Sequence, residues 1–115
     1  MSSYHEPAEL LSEKAKNITR AINSLKEELE AVDWYNQRVE ATEDEELKQI
    51  MAHNRDEEIE HACMTIEWLR RNMDKWDEEL KTYLFTDSSI IEAEEGAEGG
   101  GGKPSSSGLN IGKLK

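Results

Sequence analysis

The residues best suited to chemistry are a carboxylate and an imidazole, Glu58 and His61, at positions that share one face of a helix. Glu28, thirty residues earlier, interrupts the apolar stripe of another helical stretch in the same way. A Glu facing a Glu-x-x-His on a neighbouring helix is half of the ligand set of a di-iron site in a four-helix bundle. The sequence holds no second copy of either part, so we expect two identical chains to complete the site.

Each of these residues also has an ordinary interpretation. Glu28 could be a surface residue and His61 a hydrogen-bonded core histidine. Glu58 could form an interface salt bridge with Arg55 or Arg20. Burying such groups costs several kcal/mol per ion unless each is paired or bound to a metal. A metal would offset that cost, and carboxylate oxygens with one imidazole suit iron or manganese better than zinc.

Other polar side chains could hold weaker cations. Glu27 and Glu30 lie beside Glu28 and could form a patch through which cations enter, although a solvated helix face has the same spacing. Three more residues share another helix face and could form an external site or a charged surface: His53, Glu57 and Glu60. Calcium or other divalent cations would suit the oxygen donors of both groups.

The elements that position these residues are predicted to be helices, because no glycine occurs before Gly96 and Pro7 is the last proline before that point. A first helix from about Pro7 carries one apolar stripe that we expect to be buried: Leu11, Ile18, Ile22, Leu25, Leu29, Val32 and Val39. Thr42 and Glu45 form a capping box, which predicts a turn and a second, antiparallel helix.

The second helix has two stripes. One contains candidate ligands: Leu47, Met51, Asn54, Glu58, His61, Thr65 and Trp68. The other is apolar: Ile59, Ala62, Ile66, Leu69 and Met73. A cap signal near Asn72 and Asp74 predicts a break and a short third helix, whose aromatic side chains are expected to cover a neighbouring subunit. Trp34 and Tyr35 are expected at the dimer seam, where Tyr35 could hydrogen-bond a ligand.

Composition limits the classes of function. A chain of 115 residues allows one domain, and a two-helix hairpin of this size cannot bury a full core, so association is expected. The net charge of -12 argues against nucleic acid or an anionic membrane as partner. No secretory signal or membrane span is present in the sequence, which predicts a soluble, cytoplasmic protein. The single cysteine, Cys63, is expected in the core and cannot form an intrachain disulfide.

The composition divides the chain into residues 1–91, a helical domain, and 92–107, a flexible linker rich in Glu, Gly and Ser. Residues 108–115 return to spaced apolar side chains. Leu109, Ile111 and Leu114 would anchor this terminal segment in a groove elsewhere, whereas the plain alternative is a frayed tail or a remnant of cloning.

Several segments carry a resemblance to a known family: residues 27–35, 53–58 with 60–61, 67–72 and 82–86. They resemble the encapsulated ferritins over most of residues 5–87. This resemblance implies an all-α half-ferritin, an antiparallel two-helix hairpin plus a short third helix, whose dimer completes a ferritin-like four-helix bundle. It also implies a di-iron ferroxidase centre at the dimer interface and assembly into an open decameric ring.

Carried over position by position, the resemblance assigns Glu28, Glu58 and His61 as iron ligands, with iron entering past Glu27 and Glu30. It assigns the external site to three further residues: His53, Glu57 and Glu60. Such a ring would be cargo in the lumen of an encapsulin shell within the cytoplasm. The ring would oxidise the iron, and the shell would store it. Residues 108–114 are similar to the family's shell-targeting peptide, which makes the encapsulin shell protein the expected partner of the three terminal aliphatic side chains.

Two other classes of function remain open. One is a non-catalytic helical adaptor cargo, in which the polar stripe only sets the register of a dimer. The other is a metal-binding module without turnover, such as a dioxygen carrier or an iron buffer.

Overall fold

The fold is known from a computed structural model that describes residues 4–99. Those residues contain a single turn of 3-10 helix (Ala8–Leu10) and four α-helices: α1 (Glu13–Ala41), α2 (Glu45–Asn72), α3 (Asp74–Tyr83) and α4 (Ile90–Gly99). The described part has no β-strand, so the predicted all-α class is confirmed. The chain divides into two compact units, Met1–Leu69 and Arg70–Lys115. None of the described helices is both long enough and apolar enough to cross a membrane.

In the first unit, α1 begins later than the sequence predicted. Pro7 precedes only the 3-10 turn, and α1 starts after Ser12, whose hydroxyl oxygen accepts a hydrogen bond from the Ala15 N–H at 3.0 Å. A serine in this position satisfies one of the backbone donors left unpaired at a helix start. The serine cap therefore sets the start of the helix, and Pro7 lies outside it.

The turn between α1 and α2 is where we predicted it, but the predicted capping box is wrong. Thr42 is the C-terminal cap of α1, where its N–H donates to the Arg38 carbonyl at 2.9 Å. The N-terminal cap of α2 is Asp44, whose Oδ1 accepts from the Leu47 N–H at 2.9 Å. A carboxylate at this position also interacts favourably with the positive end of the helix dipole, an advantage that a threonine hydroxyl lacks.

Two hydrogen bonds between side chains establish how α1 and α2 run. Arg55 Nη1 donates to Asn36 Oδ1 at 3.0 Å, and Thr65 Oγ1 lies 3.1 Å from Glu28 Oε1. Asn36 follows Glu28 in α1, whereas its partner Arg55 precedes Thr65 in α2, so the two helices run in opposite directions. The predicted antiparallel hairpin is confirmed.

The core within the single chain is very small, which corrects the prediction of a continuous buried stripe on α1. Among the described residues, the buried apolar side chains are Leu25, Ala62 and Leu69. Leu29 is 53% exposed, although it was predicted to be buried, and Cys63, predicted in the core, is also exposed. Two helices packed side by side can cover only one strip of each other, so the remaining apolar positions face solvent.

In the second unit, α3 begins after Met73, whose extended backbone gives the predicted break. The Asp77 carboxylate binds both the Lys81 ammonium and the Arg70 guanidinium. The hydrogen bond from Lys81 is the largest cause that holds the pKa of Asp77 below its ordinary value; partial burial opposes it and Arg70 adds to it. These ion pairs connect the last turn of α2 to α3. Beyond α3, Phe85 is fully exposed and has a φ of 61°, a conformation uncommon for a non-glycine residue.

Helix α4 was not predicted, and residues 92–99, assigned to the linker, lie in it. Ser89 caps it, because its Oγ accepts from the Glu92 N–H at 3.0 Å. The apolar and acidic residues that follow are compatible with helix, and a single internal glycine, Gly96, costs only about 1 kcal/mol relative to alanine. The helix contacts α3. The linker assignment for residues 100–107 lies outside the described residues, and the division at residue 91 stays a prediction.

The cap of α2 can be tested by mutation. Asp44→Ala removes the oxygen that accepts the Leu47 N–H, so we expect the free energy of unfolding to fall by about 1 kcal/mol. Urea denaturation followed by circular dichroism, at one fixed protein concentration, measures the change. Thr42→Ala is the matched control and should change that free energy by less than about 0.5 kcal/mol. A larger loss for Thr42→Ala than for Asp44→Ala would restore the capping box in place of the aspartate cap.

Candidate metal centre

Two of the predicted ligands are brought together on α2. Glu58 Oε1 and His61 Nδ1 are 3.6 Å apart, and the two side chains are 29% and 43% exposed. This proximity follows from the three-residue spacing, which puts both groups on one helix face. His61 is therefore not the buried core histidine of the ordinary interpretation, and its ring can reach a ligand or a second chain.

Within the described part of one chain, Glu58 forms no salt bridge with Arg55 or Arg20, and a salt bridge across an interface stays a prediction. Arg55 instead pairs with Asp56 and Asn36, and Arg20 pairs with residues on its own helix. Within residues 4–99, Glu58 contacts the imidazole of His61. Both groups can act as metal ligands, since a carboxylate oxygen and a neutral imidazole nitrogen are each electron-pair donors.

The third predicted ligand, Glu28, projects from α1 towards α2. Its side chain is half-buried, and its Oε1 lies 3.1 Å from the hydroxyl oxygen of Thr65. That same hydroxyl oxygen lies 3.1 Å from the main-chain carbonyl oxygen of His61. Glu28 therefore lies level with the turn of α2 that carries His61, and it is not the plain surface residue of the alternative interpretation.

One chain does not complete a metal site within the part that is described. Among residues 4–99, no group of three or more His, Cys, Asp or Glu side chains is arranged to hold a metal ion. Glu58 and His61 form a pair, and Glu28 is linked through the Thr65 hydroxyl to the main-chain carbonyl oxygen of His61. The arrangement is a row of donors along the hairpin. It leaves coordination positions that other groups would have to fill.

The remaining predicted cation ligands are on the surface. Glu27 and Glu30 are exposed on α1. The residues of the external group are exposed on α2: His53, Glu57 and Glu60. Neither group forms a set of three ligands within the described residues, so both cation sites, and calcium as their occupant, stay predictions.

The aromatic residues predicted at the dimer seam lie on α1 beside an arginine. Trp34 is 50% exposed, and Tyr35 is half-buried with the Arg38 guanidinium carbon 5.2 Å from the centre of its ring. That distance is within the range of a cation–π interaction. The ring of Tyr35 is thus oriented by a neighbour on its own helix. Its predicted place at a seam remains untested.

Thr65 is a functional candidate whose role is not predicted by the sequence. It was recognised only as a member of the polar stripe of α2, four residues after His61. The available signal was that spacing, which places its hydroxyl on the same face as the ligand pair. What could not be read from the sequence was that Glu28 of α1 would lie at the same level. The other predicted functional residues, Leu109, Ile111 and Leu114, lie outside the described residues.

Comparison with known proteins identifies the family. The sequence model described as EncFtn-like matches residues 3–87 of this chain. The chain belongs to the EncFtn-like family. The matched range includes Glu28, Glu58, His61 and Thr65, whereas α4 lies beyond it. The resemblance found in the sequence is confirmed.

Individual relatives agree with this EncFtn-like assignment. A protein of Thermotoga maritima named "Ferritin-like protein" is 61% identical over 97 residues, covering 84% of this chain and 85% of the relative. One of Rhodospirillum rubrum named "Encapsulated ferritin-like protein" is 56% identical over 124 aligned positions, covering 99% of this chain and 89% of the relative. The crystal structure of protein ne0167 from Nitrosomonas europaea matches with a TM-score of 0.74 and 58% identity, covering 77% of this chain and 98% of that one.

Proposed function

We propose that this protein is a ferroxidase that oxidises Fe(II) to Fe(III) at a di-iron centre shared by two subunits. The observation that carries the proposal is the row of donors from Glu28 through Thr65 to His61 and Glu58, found on the facing helices of an EncFtn-like chain. Two such rows supply four carboxylates and two imidazoles, which is the ligand set of a ferritin-like di-iron centre.

The donor set suits iron for a chemical reason. Carboxylates and a single imidazole bind ferrous and ferric ions, and anionic oxygens stabilise the higher charge that oxidation creates. Two bound ferrous ions supply the two electrons that reduce dioxygen to hydrogen peroxide, or hydrogen peroxide to water, with two protons taken up. The ligand residues of two chains would hold two ferrous ions in one centre, and the net negative charge of the protein would attract further cations.

Dimerisation is part of the proposal because a single hairpin is short of both core and ligands. Leu29, next to Glu28, and Trp68, on the stripe that carries Glu58 and His61, are 53% and 37% exposed in one chain. Covering such side chains with the same surface of a second copy would stabilise the dimer by about 25 cal/mol for each Å² of apolar area. It would also bring the two rows of donors together. Further association of dimers into a decameric ring follows from the family resemblance.

The protein is further proposed to be the cargo of an encapsulin shell, which would store the oxidised iron as mineral in its lumen. This rests on the EncFtn-like family match and on the relative named as an encapsulated ferritin-like protein. The terminal segment 108–115 would dock to the shell through Leu109, Ile111 and Leu114, separated from the helical part by a linker rich in glycine and serine.

The ligand assignment is tested by removing each donor. Glu28→Ala, Glu58→Ala and His61→Ala should each lower the initial rate of ferrous oxidation to that of iron in buffer, because each removes one group from both halves of the centre. The rate is followed by the absorbance of the ferric product and by dioxygen consumption. Glu40→Ala and His5→Ala change the same residue types at exposed positions and should leave the rate unchanged.

Three results would contradict this assignment in different ways. Unchanged oxidation in all three ligand variants would refute it. A native protein that contains no iron, and dimerises equally with and without it, would favour the adaptor. Dioxygen consumption that stops once the binding sites are filled, although ferrous iron is in excess, would favour a binding module without turnover.

Because the proposed centre is shared between two chains, the rate of ferrous oxidation should depend on assembly. The oxidation rate per chain should fall as the protein is diluted through the range in which it dissociates, because a separated chain keeps only half of the ligands. Mass photometry gives the fraction assembled at each concentration, and the rate should track it. A rate per chain that stays constant while the assembly dissociates would show that one chain is sufficient.

Shell loading is tested by deleting the terminal segment. Removing residues 108–115 should abolish co-purification with a co-expressed encapsulin shell while leaving ferrous oxidation intact, because the segment lies outside the helical unit that carries the ligands. Deleting residues 100–107 removes the same number of residues and keeps the three aliphatic side chains, so loading should persist. Retained loading after loss of residues 108–115 would refute the docking role.

A further inference from the structure

Thr65 contacts two of the three residues proposed as iron ligands. It is half-buried on α2, one helical turn after His61. Its Oγ1 is 3.1 Å from Glu28 Oε1 on α1 and 3.1 Å from the main-chain carbonyl oxygen of His61. The hydroxyl therefore joins the ligand-bearing faces of both helices at a single atom.

The hydroxyl has one proton to share between these two acceptors. The His61 carbonyl oxygen is already the helical acceptor for the N–H four residues later, which belongs to Thr65 itself. The Glu28 carboxylate is an acceptor with several lone-pair sites, and a hydrogen bond to an ionised group is about twice as strong as one between neutral groups. The Glu28 carboxylate is thus the favoured acceptor.

A second threonine indicates what is unusual about this contact. Thr82 on α3 also lies in a helix, and its Oγ1 is 3.1 Å from the main-chain carbonyl oxygen of Glu78, four residues earlier. This is the ordinary local hydrogen bond of a threonine within a helix. Thr65 makes the same local approach and in addition reaches a carboxylate on another helix. The contact with Glu28 is what separates the two threonines.

We propose that Thr65 is a positioning residue for Glu28, an inference that rests on the proposed function. Its hydroxyl holds Oε1 of Glu28, and the carboxylate held in this way would be one of the groups that bind the metal. A free glutamate side chain loses considerable rotamer freedom when it binds a metal, and a carboxylate already held by a hydrogen bond loses less. Hydrogen-bond partners of metal ligands typically contribute about 10- to 100-fold to metal affinity.

The experiment measures cobalt binding, because Co²⁺ gives visible absorption bands that report its ligands and has an affinity for such sites close to that of Fe²⁺. Full-length wild-type protein, Thr65→Val, Thr65→Ser, Glu28→Ala and Thr82→Val are titrated with Co²⁺ alone. The thermal unfolding midpoint of each metal-free protein is recorded in parallel. Thr65→Val keeps the shape of the side chain without the hydroxyl, Thr65→Ser keeps the hydroxyl, and Thr82→Val is the control that loses only a local hydrogen bond.

We expect Thr65→Val to weaken Co²⁺ binding by about 10- to 100-fold while the band positions at saturation match those of the wild type, because the ligands themselves are unchanged. Glu28→Ala should change the bands. Thr65→Ser should bind within about threefold of the wild type, and Thr82→Val should bind equally well. The metal-free unfolding midpoint of Thr65→Val should fall no further than that of Glu28→Ala, because both variants lose the same hydrogen bond.

Other results overturn the inference. If Thr65→Val bound Co²⁺ as tightly as the wild type, or if Thr65→Ser lost as much affinity as Thr65→Val, the hydroxyl would have no role in positioning Glu28. Ferrous oxidation by the wild type would still support the proposed function. A metal-free Thr65→Val protein markedly less stable than Glu28→Ala would make the role structural. A wild-type protein that neither binds Co²⁺ nor oxidises ferrous iron would defeat the proposed function, and the inference with it.

Discussion

Two helices packed side by side leave most of their apolar surface uncovered, and the rest of this structure depends on that constraint. Among the described residues only Leu25, Ala62 and Leu69 are buried. A helix in a bundle normally covers an apolar stripe more than about 100° wide, and one neighbouring helix cannot do this alone. The need for further cover is the physical reason why the proposed function requires a second copy of the chain.

In our proposal the surface that a second copy covers also carries the row of donors, which links association to metal binding. In one chain Glu58 and His61 keep 29% and 43% of their side-chain surface exposed, so water still solvates them. A second subunit would remove that water and impose a desolvation cost on the carboxylates. Bound cations would offset the cost, and any ligand that binds only the assembled state stabilises it. Thr65 adds a hydrogen bond to Glu28 within each chain, before any partner is present.

Local capping groups decide where the helices begin and end. Ser12 and Ser89 accept backbone hydrogen bonds at the starts of α1 and α4, and Asp44 does so for α2. At the hairpin turn the sequence offers both Thr42 and Asp44, two residues that commonly cap helices. The chain uses the threonine to end one helix and the aspartate to begin the next, so α2 begins at Glu45, two residues later than a capping box at Thr42 would have placed it.

The sequence by itself determined the helical class, the hairpin, the break before α3 and the face shared by Glu58 and His61, because helix formation and side-chain spacing are local properties of the chain. The tertiary structure decided which residue of α1 lies opposite that face. Glu28 lies level with Thr65, and that register comes from packing between side chains distant in sequence, which periodicity does not encode. Burial was likewise decided by the number of neighbouring helices, so a stripe that is apolar in sequence remains largely exposed in a single hairpin.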